Sequence, residues 1–158
     1  MRDRKMTNYD YEKVFIYVFD RSLTHVLSFT QKHFPNAGLQ VPAGTREPGE
    51  KLEECARREL YEESGLILNA PMMYLGQYLY DMGKFKDETH LRNFFWIKSD
   101  LHWKLAWTNV DTANQGNAAM IANFRFIPVE ESPSLLIADH GLLVLIAQKL
   151  ALKHNMEN

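Results

Sequence analysis

The sequence predicts a mixed α/β layered domain, and three observations carry that prediction. Two runs rich in β-branched and aromatic residues, KVFIYVFD (13–20) and HVLSFTQ (25–31), open the chain as a hairpin. A charge-rich segment with helical spacing (51–64) sits in the middle, with further strand-like runs behind it. A second helix-spaced segment, residues 133–152, closes the chain. At 158 residues the chain suits one compact domain with a sizeable core. The expected organisation is a lead-in (1–10), a single domain (11–152) and a C-terminal tail (153–158).

Each element follows from local signals. RSLT breaks the first hairpin, and KHFPNAGL (32–39) carries Pro and Gly and reads as a loop. LQVPAG (39–44) is a short strand that runs into the turn TREPGE (45–50). The central helix starts near Lys51 and ends near Ser64, and Gly65 supplies the left-handed residue that often follows a helix. APMMYLGQYLYDM (70–82) reads as a strand with Gly76 as a bulge, followed by a charged loop (81–90). LRNFFWIKS (91–99) and NFRFIPV (123–129) are further strands. Residues 101–121 show neither period and are expected to be a loop with short irregular pieces.

Composition narrows the function. A net charge of −2 lacks the basic field of a dedicated nucleic-acid binder, so no nucleic-acid partner is expected. The single cysteine, Cys55, can form neither an internal disulfide nor a CxxC metal site. The expected context is a reducing cytoplasm. The polar start MRDRKMTNYDYEK is not a signal peptide, and GLLVLIAQKLAL is too short to span a bilayer. No membrane partner is expected, and a homodimer is left open.

The central helix holds the chemistry. At 100° per residue, Glu59, Glu62 and Glu63 share an arc of roughly 100°. Leu52, Ala56 and Leu60 form an apolar stripe beside them. Arg58 can reach Glu62 at i+4, whereas Arg57 points away. Three carboxylates at i, i+3 and i+4 repel one another by a few tenths of a kcal/mol per pair. A solvated charged face or a site for hard divalent cations would both explain them, because Mg²⁺ takes oxygen ligands shared among carboxylates, waters and phosphates.

The spacing separates the two. From Gly44 the chain reads G-TREPG-E-KLEECAR-R-E-L-Y-E-E-S-G-L, ending at Leu66. Every fixed position matches the Nudix box: Gly, five residues, Glu, seven residues, Arg-Glu-apolar-x-Glu-Glu-x-Gly-apolar. An accidental full match is on the order of 10⁻⁸ for a chain of ordinary composition. The chain therefore resembles a Nudix hydrolase of the MutT-like kind. The resemblance implies an α/β/α sandwich around a mixed sheet, with the box as loop-helix-loop. It implies hydrolysis of a phosphoanhydride in a nucleoside diphosphate derivative or nucleotide, with Mg²⁺ or Mn²⁺. By position, Glu59, Glu62 and Glu63 are metal ligands, joined by the carbonyl of Gly44. Arg58 orients a catalytic glutamate, and Glu50 has a structural or outer role. The general base is Glu62 or Glu63, with Asp87, Glu88 and Asp111 as candidates outside the box.

The substrate is a small phosphoanhydride, and Arg46, Tyr80, His90, Arg92 and Phe94 are the candidate contacts. Arg46 lies in the loop after Gly44, while His90, Arg92 and Phe94 alternate along one strand. His140 reads as helix surface or core edge. The SQPWPFPxS stretch of NADH pyrophosphatases is absent, and Met82 stands where ADP-ribose pyrophosphatases often carry a proline. Tyr80 comes slightly early for the tyrosine of dinucleoside polyphosphate hydrolases, and the coenzyme A pyrophosphatase pattern is missing. A nucleoside di- or triphosphate or a nucleotide sugar remains open. Two alternatives are an RNA 5′-end pyrophosphohydrolase and a non-catalytic nucleotide sensor.

Overall fold

In the computed structural model, residues 8–83, 86–111 and 119–157 are described. The lead-in residues 1–7, residues 112–118 of the expected loop and the last residue of the tail lie outside them.

Strand β1 (Tyr11–Phe19) organises the molecule. On one side it pairs in parallel with β5 (Thr89–Lys98) along its whole length, from Tyr11↔His90 to Phe19↔Lys98. β5 then pairs antiparallel with β4 (Met73–Asp81), and the register shifts between Tyr74 and Gly76 at the bulge expected there. On its other side β1 is shared. Its start pairs with β3 (Ala43–Thr45), and its end meets β2 (His25–Gln31) at Phe19↔Val26. The predicted hairpin therefore survives only at its tip, because β3 occupies the edge that β2 would otherwise use. β2 pairs instead with β7 (Met120–Pro128), which carries β6 (Ala106–Asp111) at the far edge. The order is β4-β5-β1-β2-β7-β6, with β3 on β1.

Alternation along β1 builds both cores. Val14, Ile16 and Val18 pack with Cys55, Ala56 and Leu60 of helix α1 (Leu52–Ser64). Phe15, Tyr17 and Phe19 pack with Val144, Ala147 and Ala151 of the C-terminal helix. A mixed sheet between two helical layers results, which is the α/β/α architecture that the sequence predicts.

Two segments differ from expectation. Residues 106–111 are a strand, not loop. The closing helix is broken into α2 (Ser132–Leu135) and α3 (Val144–Glu157). Between them Ala138 and Asp139 are both left-handed, with φ of 52° and 60°. Leu136 bridges to Leu39, and Gly141 sits where a Cβ would lie 2.9 Å from the Pro133 Cα. Tertiary pairing thus overrides helical spacing here. α3 runs on to Glu157, through residues expected as tail. No helix among the described residues is long and apolar enough to cross a membrane.

Candidate active site

Helix α1 is fixed at both ends. The Lys51 N–H donates to Glu54 Oε1 at 3.0 Å, and Glu53 and Glu54 sit favourably in the first turn. At the other end Gly65 adopts φ 82° and donates its N–H to Tyr61 O. Arg57 does turn away from the cluster: its guanidinium donates to the carbonyls of Leu68 (2.8 Å) and Ala70 (3.0 Å), tying the following loop to the helix.

Arg58 is the hub. It grips Glu50 bidentately, Nε to Oε2 at 2.7 Å and Nη2 to Oε1 at 2.9 Å, and reaches Thr45 O at 3.0 Å. Its Nη1 donates to Glu59 Oε1 (2.8 Å) and Glu62 Oε1 (3.2 Å). The hydrogen-bonded guanidinium pulls the Glu50 carboxyl down to about 2. Glu50 is thereby the anchor for Arg58, in keeping with an outer role. Arg46 is anchored as well, to Glu12 Oε1 (2.7 Å) and Glu50 O (2.6 Å).

The charges of the three glutamates act on one another. Burial, the dominant cause, raises the Glu59 carboxyl against the opposing pull of Arg58, and the charges of Glu62 and Asp111 add to it. Glu63 is held well above the ordinary carboxylate range. Burial is again the largest cause, and Glu59, Asp111 and Glu62 repel its charge. Its Oε1 accepts the Ala43 N–H at 2.8 Å, which opposes the shift.

Asp111 reaches this cluster from β6, the strand the sequence hides. Trp107, Asn109 and Asp111 occur at two-residue spacing and share the face toward α1. Trp107 Nε1 donates to Ser64 O at 2.8 Å, and Asn109 Nδ2 donates to Glu63 O (2.7 Å) and Glu62 O (3.3 Å). The last carbonyls of α1 are therefore satisfied by β6 side chains. The signal was the W-x-N-x-D alternation, which is too polar to read as a core-facing strand. Of the three outside candidates for the base, Asp111 is the one whose charge Glu59 and Glu63 feel. Glu88 binds His90 Nε2 at 2.9 Å and Lys86 at 3.5 Å, and Asp87 is exposed in the loop before β5.

The expectation for Gly44 needs correction. Ile16 N–H donates to Pro42 O, and Arg46 N–H donates to Glu12 O. With Val14 opposite Gly44, this parity turns the Gly44 N–H and carbonyl toward β1. Ala43 faces the opposite way, so its N–H meets Glu63 and its carbonyl lies on the glutamate side. Gly44 is required for another reason: a Cβ there would lie 1.9 Å from Glu59 Cδ.

Of the substrate candidates, Tyr80, His90, Arg92 and Phe94 share the α3 side of the sheet, whereas Arg46 stays with Glu12 and Glu50. The Arg92 guanidinium lies 3.7 Å over the Tyr80 ring and 4.6 Å over Phe15, and Nη1 donates to Ala138 O at 2.6 Å. It is 2 % exposed and forms no ion pair among the described residues. Tyr78 Oη and Arg92 Nε, opposite each other across β4–β5, are buried without a hydrogen-bond partner among the described residues. Phe94 is wholly buried, stacked on Phe15 and Tyr78, so its packing is that of a core residue. His90 is buried against Tyr11 and Glu88. Lys13, bonded to Thr45 Oγ1, feels the charges of both Glu59 and Arg92 and so links the two clusters.

Among the described residues no three His, Cys, Asp or Glu side chains are grouped so that they could together hold a metal ion as they stand. The glutamates nevertheless suit a hard divalent ion. They are all-oxygen donors, two of them raised chiefly by burial and further by one another's charge, and Mg²⁺ is usually shared between one or two carboxylates and substrate phosphates.

Comparison with known proteins shows the family and the fold. The NUDIX domain family model matches residues 12–144. A curated relative, the NAD-capped RNA hydrolase of Schizosaccharomyces pombe, is 33% identical over 76 residues, which is 46% of this chain. The match spans only 20% of that relative's length. A NUDIX hydrolase structure from Listeria monocytogenes superposes with a TM-score of 0.66 at 19% identity, over 92% of this chain and 97% of that one. The NUDIX domain of Shewanella oneidensis NrtR, complexed with ADP ribose, gives 0.64 at 14% identity, over 96% and 99%. With its box intact from Gly44 to Leu66 and the domain matched over most of its length, this chain belongs to the NUDIX domain family.

Proposed function

We propose that the protein hydrolyses the phosphoanhydride of a nucleoside diphosphate derivative or nucleotide, in a divalent-metal-dependent reaction with a glutamate as general base. The observation that carries this reading is that the carboxylates of Glu62 and Asp111 act on both Glu59 and Glu63, with Glu59 and Glu62 held by one arginine, Arg58. Such mutual repulsion is relieved by a bound cation. Glu59, Glu62 and Glu63, with the Ala43 carbonyl in place of that of Gly44, would hold Mg²⁺ or Mn²⁺. When bound, the ion screens phosphate charge, polarises the phosphoryl group and makes water more acidic.

The chain's own groups do the rest. Arg58, immobilised by Glu50, sets the rotamers of Glu59 and Glu62. Glu62 or Glu63 takes the proton of the attacking water, and the raised Glu63 carboxyl is the stronger base once ionised. Burial keeps that carboxyl raised, and the charges of Glu59 and Asp111 add to it. Arg92 supplies an uncompensated positive charge for an anionic or carbonyl group of the substrate, with Tyr80 as the platform beneath it. Arg46 acts through Glu50, and His90 and Phe94 shape the wall.

The substrate class proposed is a nucleoside di- or triphosphate or a nucleotide sugar. The fission-yeast relative favours a second reading, a pyrophosphate bond at an RNA 5′ end. A nucleotide sensor is the third. The test is a phosphate-release screen with Mg²⁺ and Mn²⁺ over nucleotides, nucleotide sugars, dinucleotides, 5′-triphosphorylated RNA and NAD-capped RNA. Glu62→Gln and Glu63→Gln run beside it. Metal-dependent release lost in either variant supports hydrolysis. Silence on every substrate, with ligands still raising the melting temperature, would favour the sensor.

A further inference from the structure

The segment leading into the box, Leu39–Thr45, has two edges with different partners. Gln40 exchanges hydrogen bonds with Phe29 (2.8 and 3.0 Å), and Pro42 O accepts from Ile16 N–H (3.0 Å). These even-numbered groups face the sheet. The odd-numbered groups face away from it. Leu39 O accepts the Ile137 N–H at 3.0 Å, Val41 N–H donates to His140 Nδ1 at 3.2 Å, and Ala43 N–H donates to Glu63 Oε1 at 2.8 Å. Up to Leu39 the outer partner is backbone, and at Ala43 it is the box glutamate. The imidazole fills the step between them.

We infer that His140 is a positioning residue for the metal-binding end of the box. Its Nδ1 stands in for a strand carbonyl at Val41, so that Ala43, two residues on, presents its N–H to Glu63 and its carbonyl to the carboxylate cluster. The inference rests on the reading of that cluster as a metal site.

Three features make the imidazole a fixed post. The residue is 7 % exposed, and its ring stands edge-on to Phe15 at 4.9 Å. Its carbonyl accepts the Tyr17 hydroxyl at 2.6 Å, and the same Tyr17 oxygen accepts the Leu143 N–H at 3.1 Å. Arg92 clamps the neighbouring Ala138 carbonyl. Because Nδ1 accepts a hydrogen bond, the ring proton must sit on Nε2. Val41 is fully buried, so no solvent would replace the lost acceptor. The left-handed pair Ala138–Asp139, which breaks the helix, turns His140 inward to this position. The helix break thereby acquires a role at the site.

The test compares H140L, H140Q and H140N with wild type. Asparagine places its Oδ1 near the position of Nδ1, whereas glutamine reaches toward that of Nε2 and leucine offers no acceptor. Exchange of the Val41 and Ala43 amides is read by NMR, Mn²⁺ affinity by electron paramagnetic resonance, and kcat and KM by phosphate release. H140L and H140Q are expected to speed Val41 and Ala43 exchange and to weaken Mn²⁺ binding and kcat about 10-fold, as for other supports of metal ligands. KM should hold within about twofold, and H140N should recover most of the loss. Wild-type Mn²⁺ affinity in H140Q, with Val41 exchange accelerated, would overturn the inference. So would a folded H140N as impaired as H140Q. A wild-type protein that bound no Mn²⁺ would instead overturn the metal reading beneath it. Should H140L fail to fold, H140Q carries the comparison.

Discussion

Gly44→Ala is expected to separate catalysis from stability. The new Cβ would lie 1.9 Å from Glu59 Cδ, 2.1 Å from Oε2 and 2.3 Å from Cγ. Ordinary carbon contacts begin near 3.5 Å, so the Glu59 carboxylate must withdraw by about 1.5 Å. Gly44 lies in β3 without a left-handed φ, and its backbone accepts alanine without strain. The clash falls on the far end of a flexible side chain, not on the core. Arg58 would lose one of several partners, and the reduced freedom of the unfolded chain returns about 0.4–1 kcal/mol. The net change in stability should stay within about 1 kcal/mol, or about 2–4 °C in melting temperature for a chain of this size. Activity should suffer far more. A 1 Å misplacement at a reacting centre costs about 10²-fold, equivalent to about 2.7 kcal/mol in the barrier. The assay is turnover at saturating Mg²⁺ on the best substrate of the screen, beside a thermal melt and a Mn²⁺ titration. Turnover within threefold of wild type, with unchanged Mn²⁺ affinity, would refute the claim that Glu59 must lie against the Gly44 backbone.

Three further outcomes follow from the same contacts. Arg58→Lys keeps a charge but loses the fork that grips Glu50, and should lower stability at neutral pH by about 1–3 kcal/mol by urea melts. Glu50 is depressed to about 2 from 4.5, so its contribution is present above 4.5 and lost as pH falls toward 2; the deficit of the variant should shrink over that range, and a constant deficit would exclude the pairing. Glu63 is raised, so its protonated form favours folding; that contribution is present below 4.5 and lost as pH rises through the folded value. Glu63→Gln should therefore melt above metal-free wild type near neutral pH while losing turnover, with the gap closing as pH falls toward 4.5; equal melting temperatures at pH 7 would sink this account. Asn109→Ala removes the donor to the Glu62 and Glu63 carbonyls and should cost about 1 kcal/mol, lowering kcat more than KM; unchanged kcat would show that the last turn of α1 needs no support from β6.

Legibility followed the range of the interaction. The box could be read because its chemistry is local to one helix: i, i+3 and i+4 place three glutamates on a single arc wherever the helix lies. The pairing of Arg58 with Glu62, the outward turn of Arg57, the cap at Gly65 and the bulge at Gly76 are short-range for the same reason. β6 was missed because its inner face is Trp107, Asn109 and Asp111. Those residues meet the polar end of a helix, so the strand has no hydrophobic alternation to show.

By itself, then, the sequence determined the family, the helix that bears the carboxylates and the layered α/β class, since each rests on spacing within a segment. Tertiary structure decided which groups around that helix can act. The register of β3 on β1 turned the Gly44 carbonyl away and the Ala43 carbonyl inward, because a strand presents alternate residues to opposite edges. The Leu136–Leu39 bridge broke a segment with good helical spacing and put His140 beneath Val41. A buried N–H will take whatever acceptor the fold brings to it, and residues nearly one hundred positions apart leave no trace of that meeting in local sequence.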